Sequence, residues 1–534
     1  MVSKHTATHK QTFIQGTMIL LGAGVLNRLL GFVPRILLPR FIGKEALGLY
    51  QMAYPPFIVL VTLITGGIPL AVSKFVAEAE AQGNEAAVRR ILITSLCLTV
   101  PLSIVFALLC LWIAPWLSTS VFTDSRVLYA FSVMSPIIIM VSVSSVFRGY
   151  FQGRHNMIPT ASSQIVETIA RSIATLVLSC AMLPYGVEYA AAGAMAGVLL
   201  GEMLGLTVLM WHYARTRKQK LPTSAASIGH ASSLKLHFLA LRKLLTVSIP
   251  VTGSKLVGSF SYFFESVVIV RSLAAAGVAA AVTTAQYGML SGMVIPVLLL
   301  PGALTYSLAV SLVPSLSEAA SKNNMRLIHM RLHQSLRLAL VTGAPFAVLM
   351  YVLAEPICNF LYHDLEAGDM LRLIAPAAIF MYFQAPLQAA LQALDKPGAA
   401  LMNTLAGSIV KLLLIYLLAA KTPLGIEGAV IAIGLNIILV TLLHWQSVVR
   451  ATGVKLPASD FMKVAGAAAG MGFICYVLMN ATLPFIPSNE TIRFLLAGLT
   501  GMGLYVIALF PLGLVDKHDL ARIPWLGRTI ARFL

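Results

Sequence analysis

Charge is scarce in this chain. Asp, Glu, Lys and Arg make up 11% of its 534 residues, against about 25% in a soluble globular domain. That excludes a water-soluble body. Cysteine is also rare: Cys97, Cys110, Cys180, Cys358 and Cys475 all fall in apolar runs, with no CxxC pair. They read as small buried hydrophobes and exclude a disulfide framework or a zinc knuckle. There is no GxxxxGK[ST] loop, so no ATPase is built in, and no HExxH or nucleophile elbow. His329 and His333 lie four apart in a basic stretch without a third ligand, which argues against a metal site. Every loop outside the apolar runs is short, which leaves no room for a glycosyltransferase or polymerase body. No cofactor and no catalytic residue is expected, and the chain does not read as an enzyme.

What is present is apolar sequence, 58% of the chain. Runs near the length of a membrane crossing recur from end to end. They are placed at 13–34, 49–73, 91–117, 126–148, 159–183, 189–213, 244–270, 283–313, 337–361, 372–394, 401–420, 425–447, 463–483 and 491–515. This predicts an all-α polytopic membrane protein of about fourteen spans. The first run flows into further spans and shows no cleavage signature, so it is expected to stay in the protein.

The formal charge of +18 points to membrane lipids rather than nucleic acid. Of 38 Lys and Arg, 26 fall on the N-terminal side of this arrangement, 8 on the other side and 4 within spans. That bias predicts cytoplasmic termini and contact with anionic headgroups. The stretch 215–243 holds seven Lys or Arg and no acid, and is expected to be a basic cytoplasmic linker. Segments 74–90 and 315–336 are expected as helices on the cytoplasmic surface. The tail after Asp516 mixes Lys517, Arg522, Arg528 and Arg532 with Trp525 and Phe533, the composition of an amphipathic interfacial segment.

The chain is also duplicated. Pro136 and Pro376 lie 240 residues apart, as do Gln152 and Gln392. Leu70-Ala-Val-Ser73 matches Leu308-Ala-Val-Ser311, and Pro184-Tyr-Gly-Val-Glu188 matches Pro423-Leu-Gly-Ile-Glu427. Six spans per copy means that both copies enter from the same side, related by a pseudo-twofold axis along the membrane normal. The expected domains are an N-terminal lobe (1–214), the linker (215–243), a C-terminal lobe (244–450), and two extra spans with the tail (451–534).

Ionisable residues inside spans mark function, because a central Arg or Lys costs about 2.5–3.5 kcal/mol to insert. Arg28 lies in the first span, with Arg35 and Arg40 near its outer end among Pro34 and Pro39. Glu167 and Arg171 share a helix face four residues apart; they serve either as a self-neutralising pair or as a site. Glu202 stands in the sixth span, Lys255, Glu265 and Arg271 in or beside the seventh, and Lys411 in the eleventh. Arg35, Arg40 and Arg271 have snorkelling to headgroups as their alternative. Ile165-Val-Glu167 against Ile409-Val-Lys411 sets opposite charges at matched places. The candidate substrate-binding cations are Arg28, Arg35, Arg171, Lys255, Arg271 and Lys411. The candidate coupling or pairing acids are Glu167, Glu202 and Glu265. A cation-rich lining suits a phosphate or diphosphate headgroup.

Four segments carry a resemblance: Asn27-Arg28-Leu-Leu-Gly31-Phe32-Val-Pro-Arg35 continuing to Gly43, Arg148-Gly-Tyr-Phe-Gln-Gly-Arg-His-Asn-Met157, Leu183–Gly193, and Tyr382-Phe-Gln-Ala-Pro-Leu-Gln388. In them the chain resembles the polysaccharide-export and lipid II flippase-like branch of the multidrug/oligosaccharidyl-lipid/polysaccharide transporter superfamily, including its sporulation members. The resemblance covers essentially the whole chain. It implies ATP-independent export of a polyprenyl-diphosphate-linked peptidoglycan precursor or related lipid-linked oligosaccharide, by alternating access, for the spore cortex. It implies residence in the bacterial cell membrane or the membrane around the forespore, and peptidoglycan synthesis enzymes as partners. Arg28 matches a substrate-binding arginine of the family's first helix. The next such arginine falls at Pro34, beside Arg35; those of helices 2 and 8 fall in 57–62 and near Gly288, which carry no charge. Lys255 and Arg271 would then supply charge from helix 7. Two alternatives remain: a cation-coupled small-molecule exporter of the same superfamily, and a non-transporting scaffold for cortex enzymes.

Overall fold

A computed structural model describes residues 13–219, 230–455, 458–480 and 489–514. The tail after Asp516 and the centre of the 215–243 linker lie outside the described residues. Among the described residues the chain is helical, without strands. Thirteen stretches are long and apolar enough to cross a membrane, so this is an all-α multi-pass membrane protein.

The first of those stretches holds two predicted spans. Helix α1 (Phe13–Thr65) has 53 residues, about 80 Å at 1.5 Å per residue, against roughly 30 Å of hydrocarbon. It breaks at Gly43, whose φ of 77° and ψ of 171° are non-helical and open to glycine at no steric cost. Prolines 34, 39, 55 and 56 lie inside it. The helix ends at Gly66 and Gly67, before α2 (Ile68–Ala81).

The expected surface helix 74–90 is not one element. It is the end of α2 and the start of α3 (Glu85–Trp116), parted by Gly83 at φ 66°. Asn84 caps α3 by accepting from Ala87 N at 2.9 Å, the usual N-cap geometry. Its counterpart behaves alike. Residues 315–336 are the end of α10 (Gly302–Ser321) and the start of α11 (Met325–Val352), parted at Asn323, with Asn324 accepting from Leu327 N. Ile68, Val72, Val76 and Ala79 are buried, so α2 is core rather than surface.

The first unit runs to Gly288. It holds α4 (Val127–Gly153), α5 (Ile158–Met182), α6 (Val187–Gln219), α7 (His230–Ala275) and the first turns of α8 (Ala280–Met289). Residues 230–243, expected as linker, form the opening turns of α7, tied to α3 by Thr94 Oγ1 and His237 Nδ1 at 2.7 Å. The expected lobe boundaries assign α7 to the second lobe; it groups with the first unit, where its packing partners are α1, α2 and α3. Small residues bring backbones together, as expected where lipid removes the hydrophobic drive between helices. Gly149 and Gly153 of α4 lie against the Pro69 and Ser73 carbonyls of α2. On α6, Gly193, Gly197, Gly201 and Gly205 form a stripe one turn apart, against Leu178, Thr175, Arg171 and Glu167 of α5.

The second unit starts at Met289, beside a π-helical turn, Leu290–Val294. It continues through α9 (Ile295–Leu299), α10, α11, α12 (Ala354–Tyr362), α13 (Glu366–Ala393), α14 (Pro397–Ile415), α15 (Ile426–Thr452), α16 (Ala458–Asn480) and α17 (Glu490–Leu509). Its core joins Leu316, Leu332, Leu391, Val448, Val464 and Cys475. Tyr505 of α17 donates to the Val341 carbonyl of α11 at 2.9 Å, fixing the last described helix to this unit.

Candidate functional site

The first unit gathers charge where α4, α5 and α6 meet. The glycine stripe makes this meeting tight. A Cβ at Gly201 would lie 2.6 Å from Arg171 Cβ, and one at Gly205 would lie 3.0 Å from Glu167 Cβ. Glu202, between these glycines, therefore sits over the Glu167–Arg171 face. Glu167 is 6% exposed and Glu202 7%.

The i, i+4 pair expected on α5 forms: Arg171 donates to Glu167 Oε1 at 2.9 Å. Glu167 also takes a second guanidinium, since Arg148 of α4 donates to Oε2 at 2.5 Å. Arg148 was not among the sequence candidates. It opens the Arg-Gly-Tyr-Phe-Gln motif at the end of a span, where its charge read as part of the flanking basic set. The signal available was an Arg nineteen residues before a mid-span Glu, with one turn between the two helices. One carboxylate thus serves two guanidiniums, and Arg171 keeps a third of its side chain exposed.

Tyrosines on α1 and α7 border this cluster. Tyr50 donates to Tyr54 at 3.0 Å. Arg171 and Arg35 both lie within electrostatic reach of Tyr50, and Tyr262 lies among Glu265, Tyr54 and Arg35. The sequence candidates Arg35, Arg171 and Glu265 are thereby placed around one set of phenols. Arg28 is exposed, seven residues before Arg35 on α1.

Lys255 and Arg271 are engaged elsewhere on the unit. Lys255 Nζ donates to the Gly66 carbonyl at 2.7 Å, a carbonyl freed where α1 stops. Beside it Thr62 and Ser259 hydroxyls bond at 2.9 Å. An ammonium has three donors, so Lys255 caps the broken helix and retains others. Arg271 donates to the Ser120 carbonyl, in the π-helical turn Leu117–Val121 that ends α3. At the same end, Arg126 binds Asp124 at 2.9 Å and Glu45 at 2.7 Å, and Thr284 of α8 donates to Asp124 at 2.7 Å. Burial works to raise the Asp124 carboxyl; the hydrogen bonds from Arg126 and Thr284 outweigh it and hold it below the ordinary range.

The second unit has a polar cluster of different chemistry. Lys411 of α14 is 7% exposed. Asn403 Nδ2 donates to the Leu443 carbonyl at 3.1 Å and to Ser447 Oγ at 2.8 Å, beside the buried His444. Gln384 donates to the Ile437 carbonyl at 3.1 Å. The Glu167–Lys411 match rests on an offset of 244. The 240-residue offset of the other matches instead sets Lys411 opposite Arg171, and Gly407 opposite Glu167. Like charges, not opposite ones, share that place.

Among the described residues no group of three or more His, Cys, Asp or Glu is arranged to hold a metal. His329 is committed to the Thr452 carbonyl at 2.6 Å.

Comparison with known proteins decides the family. The family model described as "Polysaccharide biosynthesis protein" matches residues 13–320, and the model described as "MatE" matches 254–417. The chain belongs to the polysaccharide biosynthesis protein family. This family member is 40% identical to stage V sporulation protein B of Bacillus subtilis (strain 168) over 527 residues, covering 98% of this chain and 100% of the relative. It is 24% identical to the lipid II flippase MurJ of the same organism, covering 96% of this chain and 97% of that one. Among solved structures it matches "Lipid II flippase MurJ, inward closed conformation" with a TM-score of 0.70 at 17% identity, covering 94% of this chain and 100% of that chain. The fold is that of the multidrug/oligosaccharidyl-lipid/polysaccharide superfamily. The family member is a multi-pass membrane protein with this fold.

Proposed function

We propose that the chain exports a polyprenyl-diphosphate-linked peptidoglycan precursor, or a related lipid-linked oligosaccharide, across the cytoplasmic membrane during spore cortex synthesis. The termini would be cytoplasmic, the cycle one of alternating access, and no nucleotide would be used. The observation that carries the reading is Arg171. It stands mid-way along α5 with a third of its side chain open, and its only acid on α5 already serves Arg148. A partly satisfied guanidinium inside a span is retained for a ligand, because an unneeded one costs insertion energy. A planar fork of N–H donors fits a diphosphate in bidentate fashion. The name of the 40%-identical relative supports the sporulation setting, and that of the flippase relative supports a lipid-linked substrate.

In this reading Arg171, Arg35 and Arg28 form the anion path of the first unit. Lys255 joins it by exchanging the Gly66 carbonyl for a phosphate oxygen, and Arg271 holds the far end of α7. Inside-negative potential favours outward movement of an anion. Two charges across 100 mV give about 4–5 kcal/mol, enough to bias a cycle without ATP. The test is translocation of labelled lipid II in proteoliposomes under an imposed potential, with empty vesicles and Arg171→Ala as controls. Transport abolished by the substitution, in protein that still inserts, supports the reading. Transport untouched by both Arg171→Ala and Arg28→Ala overturns the site.

The MatE match over 254–417 favours one rival, a cation-coupled exporter of small molecules. It requires acids rather than arginines at the working face. Drug-stimulated ion flux, with lipid II left unmoved, would establish it.

A further inference from the structure

We infer that Glu202 is a proton-binding site, and that its proton state controls anion binding at Arg171. The inference deepens the anion-carrier reading and rests on it for the identity of the ligand. Four charged groups meet here: Arg148 on α4, Glu167 and Arg171 on α5, and Glu202 on α6. From α1, Tyr50, Tyr54 and Arg35 face the Arg171 end. Both Glu167 oxygens have guanidinium donors. Glu202 Oε2 has none and is shielded from solvent, and the Glu202 carboxyl lies beside that of Glu167.

A buried carboxylate oxygen without a donor, next to a second carboxylate, is costly. Two remedies are at hand. Glu202 can take a proton, which turns its open acceptor into a donor. Alternatively it can turn as an anion to Arg148, whose Nε is likewise buried without a partner. The two states differ in charge. With Glu202 ionised, two guanidiniums face two carboxylates and the cluster is neutral. With Glu202 protonated the cluster carries one positive charge, and the more open of its two guanidiniums is Arg171, a third exposed against a fifth for Arg148.

An anion arriving at Arg171 meets a net positive charge in the protonated state and offsets it. In the ionised state it competes with a carboxylate for the same guanidiniums. Proton binding and anion binding therefore reinforce each other, and the coupling is reciprocal. One proton would travel with each anion and reduce by one the negative charge that crosses. The step is a proton exchange between bulk water and the Glu202 carboxyl, with no bond made or broken elsewhere.

The test uses full-length protein in nanodiscs, with farnesyl diphosphate as the probe. Calorimetric titration in buffers of different ionisation enthalpy reads proton uptake. The wild type should take up close to one proton more per bound probe than Glu202→Gln. Its affinity should fall by up to roughly tenfold per pH unit on the alkaline side, relative to that variant. Glu202→Gln should bind at alkaline pH as the wild type does at acid pH. Equal proton uptake and equal pH slopes in the two proteins would overturn the inference while leaving the anion site standing. Infrared difference spectra without probe give a separate arm. A titrating carboxyl band present in wild type and lost in Glu202→Gln supports the proton site even if the probe fails to bind, an outcome that would instead overturn the anion reading. Absence of that band overturns the proton site.

Discussion

The meeting of α4, α5 and α6 in the first unit and that of α13, α14 and α15 in the second stand at places matched by sequence offsets of 239 and 240 residues, yet they are built in opposite ways. In the first, the small residues stand on the later helix: Gly193, Gly197, Gly201 and Gly205 of α6 receive α5 side chains, Glu167 and Arg171 among them. At the 239-residue offset of the Pro184 and Pro423 motifs, α15 has Ala432, Asn436, Val440 and His444 instead. There the small residue stands on the earlier helix. Gly407 of α14 takes the place of Glu167, and Val440 and Asn436 fill the space where its side chain would be. Arg148 likewise answers to Gln388. Close packing survived in both copies, because lipid supplies no hydrophobic drive and helices must approach by shape. The charge did not. A compact interface can be kept while the side that provides bulk is exchanged, and only one arrangement leaves room for a carboxylate between two arginines.

The comparison breaks most visibly at Glu167. Glu167→Ala leaves Arg148 and Arg171 without their common buried anion; stripping one partner from a fully buried pair costs about 3–5 kcal/mol, and the partial exposure of the two arginines brings the loss below that. The expected result is a large fall in thermal stability in detergent, with transport lost. Glu167→Gln should recover part of the stability by keeping hydrogen bonds. A stable Glu167→Ala protein would mean that the cluster is not what joins α4 to α5.

The next test sets Arg171→Met against Lys411→Met. Both remove one cation at the same repeat position. Arg171→Met should cut initial transport rates by at least about tenfold, the equivalent of about 1.4 kcal/mol. Lys411→Met should change them less, because Gly407 and Gln388 stand at the places matched to Glu167 and Arg148, so no carboxylate is shared there between two arginines. Equal losses from the two substitutions would show that both units handle the substrate charge.

Much of this contrast was legible before any coordinates. Apolar runs gave the spans, because a membrane crossing dictates length and composition. The i, i+4 spacing gave Glu167 with Arg171, since neighbours on one helix are set by helical pitch alone. Partners reached through another helix were not legible. Arg148 meets Glu167 across a turn, Lys255 finds Gly66 at a separation of 189 residues, and Glu202 has no charged neighbour in its own helix. The stripe of four glycines on α6 was in plain sight and would have placed Glu202 against α5. Small residues carry no charge and stand out only at a spacing of four. The surface-helix reading of 74–90 failed for a similar reason. Its charges marked one polar stretch, while the positive-φ Gly83 and the cap at Asn84 divide it between two helices.

Packing gives a smaller effect. Gly197→Val would place a Cβ 2.2 Å from Thr175 N, a backbone atom that cannot move aside alone. Overpacking of this kind costs about 1–3 kcal/mol and should pry α6 from α5 around the charged cluster. A valine at Ala432, the α15 position matched to Gly193, tests the other copy, where bulk already stands on that helix. The first substitution should lower the melting temperature and weaken probe binding together. The second should move the melting temperature less and leave the probe unaffected. Reversed effects would mean that the glycine stripe is not what brings the charged groups together.

The smallest effect is expected away from both clusters, at the far end of the first unit. Asp124 is held below the ordinary carboxylate range: burial acts to raise it, and the hydrogen bonds from Arg126 and Thr284 prevail. A carboxyl lowered on folding contributes stability that is complete above its unfolded value, about pH 4, and is lost as pH falls through the folded value. Acid should therefore destabilise the wild type in that window, and Asp124→Asn should remove this part of the pH dependence. At neutral pH the variant should cost about 1 kcal/mol, because Arg126 keeps Glu45 at 2.7 Å. Melting curves of the two proteins from neutral to acid pH read the difference directly. Curves that stay parallel would assign the tie between α1, the α3–α4 turn and α8 to the close approach of Gly48 and Gly288 rather than to charge.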